Sequence, residues 1–272
     1  MHVDALITDL DGTFWAPSMD IHPESMAVVR ALDDRDVPFV VATGRRAQGA
    51  LKGLTPAGLH NRPAILMNGA LARDTLAGES FLVDGISPEH STELLKVFRE
   101  AELEPVAYID HPTTDMLVGP GSAAGDAYLA SAIGYERVGS LDESLADAPV
   151  IGFGAFGYPY DLLSPIADRI NNEALATAII GVSHFEGDHG IMIQAHEVDK
   201  WTGIEAWCER ARIDPARLAV VGDGHNDIEM LRGAKIAIVP SNAPEEIRAL
   251  ADAIIEPNEQ GGWEQIPSIV GM

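Results

Sequence analysis

The sequence predicts an α/β fold in which helices cover a parallel sheet and a separate α+β domain is inserted into the core. Near both ends of the chain, short apolar runs that stop at polar residues alternate with segments of helical spacing. This alternation is typical of parallel sheets, because two parallel strands need a crossover connection that is usually a helix. The pattern changes in the middle of the chain, which indicates a second, inserted unit.

Three apolar runs near the N-terminus are interpreted as buried strands of the core. They cover residues 5–8, 38–42 and 64–67. A segment with approximate helical spacing, residues 23–32, separates the first two. Strands and helices therefore alternate from the start of the chain, as a parallel sheet requires.

The C-terminal part repeats this alternation. We expect helices over residues 201–211 and 244–251, and strands over residues 218–221 and 235–239. Both ends of the chain therefore contribute to the same predicted core.

The inserted domain is predicted to span residues 85–187, which leaves residues 1–84 and 188–272 for the core. Helices are expected at 88–101 and 162–175, and strands at 106–109, 116–118, 150–156 and 176–180. This mixture favours an α+β layer with its own hydrophobic face.

Charge composition narrows the classes of partner. The 272 residues include 42 acidic and 18 basic side chains. Such an excess disfavours nucleic-acid backbones and anionic membranes, because both would be repelled. A small anionic ligand would have to be held by local positive groups or by a metal ion. The sequence thus favours a small-molecule partner, with no nucleic acid and no membrane.

The cellular location is predicted to be cytoplasmic. The single cysteine, Cys208, excludes an intrachain disulfide framework and is compatible with a reducing compartment. The N-terminus runs directly into an apolar strand without a basic region or a cleavage site. No apolar run approaches the roughly 20 residues that span a bilayer.

Asp9 and Asp11 follow the first predicted strand and have one residue between them. On an extended backbone their side chains point to the same side, and Gly12 permits a sharp turn after them. One carboxylate can attack phosphorus while the other protonates the leaving oxygen. Taken alone, the same spacing also fits two ordinary turn residues.

Polar residues also follow the other predicted strands of the core. Thr43, Asn68 and the segment 222–227 stand at strand ends, and sites in parallel sheets form outside the carboxyl ends of strands. Asp223 and Asp227 add two carboxylates that suit a hard cation with oxygen ligands. Capping of the following helix is the alternative use of these aspartates, and both uses can hold together.

Four clustered carboxylates require positive charge nearby, from Mg²⁺ or from a lysine. Lys200, at the start of a predicted helix, can neutralise the attacking carboxylate and hold a phosphoryl oxygen. A solvated surface lysine is the alternative. The hydroxyl of Thr43 can donate a hydrogen bond to the same phosphoryl group.

The four motifs in this order resemble those of the haloacid dehalogenase superfamily. They read Asp9-Leu10-Asp11-Gly12-Thr13, Thr43-Gly44-Arg45, Lys200 and Gly222-Asp223-x-x-Asn226-Asp227. The insertion between the threonine and lysine motifs, together with Asn68-Gly69-Ala70, resembles subclass IIB or Cof-type members. The resemblance implies a Rossmann-like core under an inserted α+β cap that selects the substrate. A tryptophan after the motif lysine, Trp201, departs from the usual pattern.

The resemblance also implies a role for each motif residue. Asp9 would be the nucleophile and Asp11 the acid and base, with Thr43 and Lys200 holding the phosphate. Mg²⁺ would be bound by Asp9, the backbone carbonyl of Asp11 and Asp223, with Asp227 acting through water. The residues expected near the substrate are Gly44, Arg45, Asn68 and Asn226.

The function expected from these residues is Mg²⁺-dependent hydrolysis of a small phosphorylated metabolite, such as a sugar phosphate, through an aspartyl phosphate. A phosphomutase or phosphotransferase on the same core is the first alternative. A non-catalytic metabolite-binding module on the same core is the second; every residue needed for turnover is present, and this disfavours it because function is determined by the site and not by the fold. A cap that closes over its own core would make a monomer sufficient.

Overall fold

A computed structural model describes residues 3–122, 126–146, 149–182 and 189–272. The chain forms two compact units. The first comprises Met1–Arg45, Gly53–Leu82 and Asp199–Met272, and the second comprises Arg46–Lys52 and Val83–Val198. The α/β fold class predicted from the sequence is confirmed. The cap boundaries proposed from the sequence, 85–187, stay a prediction.

Strands and helices are numbered in chain order. The strands are β1 Ala5–Thr8, β2 Phe39–Ala42, β3 Ala64–Leu66, β4 Leu71–Arg73, β5 Ser80–Val83, β6 Val106–Ile109, β7 Met116–Val118, β8 Tyr135–Arg137, β9 Val150–Tyr158, β10 Thr177–Val182, β11 His189–Gln194, β12 Leu218–Val221, β13 Ile236–Pro240 and β14 Ala253–Ile255. The helices are α1 Pro23–Asp33, α2 Ala47–Leu54, α3 Pro88–Glu100, α4 Asp126–Ser131, α5 Leu141–Leu145, α6 Tyr160–Asn172, α7 Lys200–Ala211, α8 Ile228–Gly233, α9 Glu245–Arg248 and α10 Ile266–Val270.

The first unit is built on an eight-stranded sheet in the order β14-β13-β12-β1-β2-β3-β4-β5. The strands from β14 to β3 run parallel, and β4 pairs antiparallel with β3. The central strand β1 is buried along its whole length, which explains why its sequence is continuously apolar and does not alternate. The parallel arrangement brings the carboxyl ends of β1, β2, β3 and β12 to one edge of the sheet.

The second unit contains a six-stranded sheet in the order β10-β11-β9-β6-β7-β8. Its strands pair antiparallel except for the parallel pair β7 and β8. Its apolar cluster includes Phe98 of α3, Leu163 of α6 and Phe153 of β9, all fully buried. A buried ion pair joins Arg46 to Asp115 in the same unit. This mixture of helices and antiparallel strands is the α+β character expected for the inserted segment.

Several elements lie outside the sequence expectations. The short strands β4 and β5 extend the core sheet beyond the expected third strand. Helix α9 ends at Arg248, shorter than the expected 244–251, because the chain then turns so that the Asp252 amide donates to the carbonyl of Ala237 at 2.8 Å. Among the helices in the described part of the chain, none has the length and hydrophobicity needed to span a bilayer.

Candidate active site

The loop after β1 turns sharply at Gly12. Gly12 has φ +82°, in the left-handed region that favours glycine. A Cβ at this position would lie 2.5 Å from Oδ2 of Asp223, closer than real contacts allow. Glycine is therefore required both by the backbone conformation and by the close approach of the Asp223 carboxylate.

Lys200 is fully buried and bridges two aspartates. Its Nζ donates to Oδ1 of Asp9 at 2.5 Å and to Oδ1 of Asp227 at 2.6 Å. The lysine starts α7, and the preceding Asp199 caps this helix by a reciprocal pair of hydrogen bonds with Thr202. The solvated-lysine alternative is thus wrong for Lys200, and its ammonium lies where the clustered carboxylates require positive charge.

Burial and neighbouring charges shift the protonation equilibria of this cluster. The pKa of Asp9 is raised to about 8, chiefly by burial; Lys200 lowers it, and the carboxylates of Asp227 and Asp223 raise it. For Lys200, burial opposes the charged form, but the attraction of Asp227 and Asp9 outweighs it and raises the lysine pKa. One ammonium therefore does not fully compensate the buried carboxylates.

Asp227 supports the loop that carries Asp223. Its Oδ2 accepts hydrogen bonds from the backbone amides of Asp223 at 3.0 Å and Gly224 at 2.8 Å. These contacts close the turn before the short 3₁₀ segment His225–Asp227. Asp227 thus orders the turn and contacts the buried lysine at once, but it makes no side-chain capping bond to α8, and its use as a metal ligand stays a prediction.

Asp223 has a different set of contacts. Its Oδ1 accepts a hydrogen bond from the hydroxyl of Thr13 at 2.5 Å. Burial raises the pKa of Asp223, the Thr13 hydrogen bond lowers it, and the nearby charge of Asp227 raises it again. A carboxylate with a raised pKa is one that gains from a nearby cation.

The residues present fit a divalent cation with oxygen ligands. Carboxylate oxygens of Asp9, Asp223 and Asp227 lie within 4.8 Å of one another. An all-oxygen donor set suits a hard cation such as Mg²⁺, and a cation there would stabilise the charged form of Asp9, whose pKa is raised by burial first and by the neighbouring carboxylates second. Both oxygens of Asp227 already accept hydrogen bonds within the protein, so Asp9 and Asp223 are better suited to direct contact.

Asp11 lies apart from this group and is paired with Arg45. The guanidinium donates from Nε to Oδ2 and from Nη2 to Oδ1, both at 2.6 Å. Trp15 donates its Nε1–H to Oδ1 of Asp11 at 3.0 Å, and the guanidinium carbon of Arg45 lies 5.1 Å from the Trp15 ring centroid. Burial raises the pKa of Asp11, but the hydrogen bonds and charge of Arg45 outweigh it and lower that pKa.

Thr43 and Gly44 follow β2 at the same edge of the sheet. Thr43 is buried, and its Oγ1 accepts the backbone amide of Arg45 at 3.2 Å. A Cβ on Gly44 would lie 2.8 Å from Oδ1 of Asn68, so glycine permits this close approach. Asn68 has φ 53° and accepts a hydrogen bond from Nδ2 of Asn226 at 3.0 Å. The structure thus gathers the residues predicted to bind substrate at one edge of the sheet.

Sequence reasoning missed the residues that support the predicted site. Thr13 stands inside the first motif, so its hydroxyl was a signal available in the sequence. The hydrogen bonds from Trp15 to Asp11 and from Trp263 to the Thr13 carbonyl had no such signal, because they depend on the folded loops. The unusual Trp201 packs against Gly233, where a Cβ would lie 2.3 Å from its ring. The tryptophan therefore occupies space that only glycine leaves open.

The comparison with known proteins agrees with this arrangement. Residues 6–265 match the family model described as haloacid dehalogenase-like hydrolase. The chain belongs to this family. A relative, the phosphoglycolate phosphatase of Methanopyrus kandleri, is 24% identical over 92% of this chain and 90% of its own length. The pyridoxal phosphate phosphatase YbhA of Escherichia coli is 22% identical over 95% of each chain.

Solved structures of haloacid dehalogenase-like proteins share the fold. The subclass IIB sugar phosphatase BT4131 superimposes with a TM-score of 0.74 at 21% identity, covering 98% of this chain and 99% of the other. The superfamily prediction is confirmed by the family model, and the subclass prediction agrees with the fold of this neighbour. The family is one of hydrolases, and both relatives are named phosphatases; together they confirm the predicted enzyme class, a phosphoric monoester hydrolase.

Proposed function

We propose that this haloacid dehalogenase-like hydrolase is a Mg²⁺-dependent phosphatase that forms an aspartyl phosphate on Asp9. The observation that carries the proposal is the buried Asp9 carboxylate. Its Oδ1 accepts a hydrogen bond from Lys200 at 2.5 Å, and the carboxylate of Asp223 lies nearby. A second acid, Asp11, follows two positions later in the sequence. A nucleophile fixed next to a positive group and a separate acid is the arrangement that covalent phosphoryl transfer needs.

In the first step, an oxygen of Asp9 attacks phosphorus while the bond from phosphorus to the ester oxygen breaks. Asp11 gives a proton to that leaving oxygen, which requires that its contact with Arg45, the cause of its lowered pKa, is released so that the carboxyl can hold the proton. Lys200 and the Thr43 hydroxyl interact with the phosphoryl oxygens, whose charge is spread in the transition state. The products of this step are the free alcohol and the phosphorylated Asp9.

In the second step, Asp11 takes a proton from a water molecule, and the water oxygen attacks phosphorus. The bond between phosphorus and the Asp9 oxygen breaks, which restores the carboxylate and releases inorganic phosphate. Asp11 is protonated again and ready for another cycle. A proton thus passes from water to the departing alcohol through a single side chain.

Mg²⁺ would be held by Asp9, the backbone carbonyl of Asp11 and Asp223, with Asp227 supporting it through water. When bound, it would neutralise charge on the phosphoryl group and on the acidic cluster. The supporting observations are the 4.8 Å cluster of carboxylate oxygens and the raised pKa of Asp9. Relatives named as phosphatases of phosphoglycolate and pyridoxal phosphate support a small phosphorylated metabolite as substrate.

The first test is an assay of many phosphorylated metabolites with Mg²⁺, in which released inorganic phosphate is measured. We expect steady phosphate release from at least one small monoester. Transfer of the phosphoryl group between substrate positions without phosphate release would favour the phosphomutase alternative. We assign the choice among substrates to the proposed cap, residues 85–187.

Chelation by EDTA should abolish hydrolysis, and added Mg²⁺ should restore it. The expectation rests on the acidic cluster, whose charge Lys200 alone does not balance. The Asp223→Asn variant removes one charge from the cluster, so half-maximal activity should need about tenfold more Mg²⁺. Asp74→Asn, which removes an exposed partner of Arg210, serves as the matched control. Full activity in EDTA would contradict the metal dependence.

Arg45→Lys should lower kcat about tenfold with a smaller change in KM, because lysine cannot make the bidentate contact that orients Asp11. The estimate is modest because both side chains are partly exposed. Arg62 makes the same two-pronged contact with Asp33 on the surface, so Arg62→Lys is the matched control. A large rise in KM with unchanged kcat would instead assign Arg45 to substrate binding alone.

A further inference from the structure

Trp263, near the C-terminus, contacts the loop that carries the proposed nucleophile. It is fully buried, and its Nε1–H donates to the backbone carbonyl of Thr13 at 2.9 Å. The indole packs edge-on against Phe14, with ring centroids 4.9 Å apart. The ring therefore fills the core and also supplies one directional hydrogen bond to the catalytic loop.

Thr13 extends this contact to the proposed metal ligand. Its side chain is fully buried, and its hydroxyl donates to Oδ1 of Asp223 at 2.5 Å. Oδ2 of Asp223 faces Gly12, where a Cβ would lie 2.5 Å away. Both oxygens of Asp223 thus face the loop after β1 but meet different groups: the Thr13 hydroxyl holds Oδ1, and Oδ2 lies beside Gly12.

The loop after β1 has other hydrogen bonds, both within itself and to its neighbours: the Asp9 amide donates to the carbonyl of Val221 at 2.9 Å, and Arg45 donates to Asp11. The backbone amides of Thr13, Phe14 and Trp15 all donate to the carbonyl of Leu10, at 3.3, 2.9 and 3.0 Å respectively. These bonds fix the shape of the turn. The bond from Asp9 to Val221 holds the start of the loop against β12, whereas the Thr13 hydroxyl contacts the Asp223 side chain itself, 210 residues away in sequence.

We propose that Trp263 is a positioning residue for the metal site: its indole N–H fixes the Thr13 backbone, so that the Thr13 hydroxyl holds Asp223 in the orientation that binds Mg²⁺. This inference rests on the proposed metal role of Asp223. Trp263 touches neither substrate nor metal, and it acts through two hydrogen bonds in series. A role in packing alone is the competing explanation.

The test is metal affinity measured without substrate, by titration calorimetry with Mg²⁺ and by Mn²⁺ paramagnetic resonance on the intact protein. Trp263→Phe keeps an aromatic ring and removes the N–H donor, and we expect the dissociation constant to rise about fivefold. Thr13→Val should raise it about tenfold, whereas Thr13→Ser should restore most of the affinity. Trp207→Phe, at another buried tryptophan of the same unit, is the matched control and should leave it unchanged.

A double variant at positions 13 and 263 distinguishes a positioning role of Trp263 from a role in packing alone. If Trp263 acts through Thr13, the double variant Trp263→Phe/Thr13→Val should bind metal about as weakly as Thr13→Val alone. Independent, multiplying effects would overturn the proposal, as would unchanged affinity in folded Trp263→Phe. Benzothienylalanine at position 263, which keeps the shape of the indole without its N–H, answers the same question if the phenylalanine variant does not fold.

The outcomes also separate this inference from the proposed function. If the unmodified protein binds neither Mg²⁺ nor Mn²⁺, the metal-dependent function itself fails. If it binds metal and the variants at positions 13 and 263 bind equally well, only the positioning role fails. In the expected case, saturating Mg²⁺ restores kcat of Trp263→Phe to within about twofold of the unmodified protein, because the weakened step is metal binding.

Discussion

Asp9→Asn should remove phosphatase turnover by a factor of about 10⁴ or more, because the amide is nearly isosteric with the carboxylate but cannot attack phosphorus. The fold should persist, since Lys200 retains its 2.6 Å contact with Asp227. Phosphate release under saturating Mg²⁺ measures the loss. Thermal unfolding and circular dichroism check that the variant is folded.

Asp33→Asn is a suitable control for the nucleophile variant, because Asp33 pairs with Arg62 on the surface. We expect its turnover to match that of the unmodified protein. Phosphate release by folded Asp9→Asn at more than one tenth of the normal rate would remove Asp9 from the role of nucleophile. Trapping of a phosphorylated protein by rapid acid quench, followed by mass spectrometry, would locate the modified residue directly.

Lys200→Met should be the most damaging substitution for stability. It leaves the carboxylates of Asp9 and Asp227 buried without their shared cation, and loss of one partner of a buried ion pair costs about 3–5 kcal/mol. Chemical denaturation in the absence of metal measures the change in the free energy of unfolding. Turnover should fall as well, because the ammonium that faces the phosphoryl group is lost.

Two further variants make the Lys200 result specific. Lys96→Met removes an exposed lysine paired with Glu93 and should change the free energy of unfolding by less than about 0.5 kcal/mol. Adding Asp227→Asn to Lys200→Met removes one of the two buried carboxylates that have lost their cation, and it should recover part of the lost stability. A Lys200→Met protein as stable as the unmodified chain would show that Lys200 does not balance the buried carboxylates.

The fold class and the place of the chemistry both follow from the order of residues along the chain. Continuous apolar runs form strands that are buried on both faces of a parallel sheet. The polar residues that follow these strands therefore lie together at the carboxyl edge of the sheet. This reasoning placed Asp9, Thr43, Asn68 and the Asp223 segment together, as the structure shows. The ordered motifs then identified the family, because four motifs in one order along the chain are far more specific than any one of them, each of which has another use.

The hydrogen bonds and ion pairs among these residues depend on the tertiary structure. Buried Lys200 contacts Asp9, 191 residues earlier in the chain, and Asp227, 27 residues later. The hydrogen bond from Trp263 to Thr13 joins residues that are 250 positions apart. Such contacts are made by side chains whose positions depend on the packing of distant elements, and no local periodicity encodes them. The pairing of Arg45 with Asp11 likewise follows from two loops meeting at the sheet edge, where the nearest opposite charges form their contact.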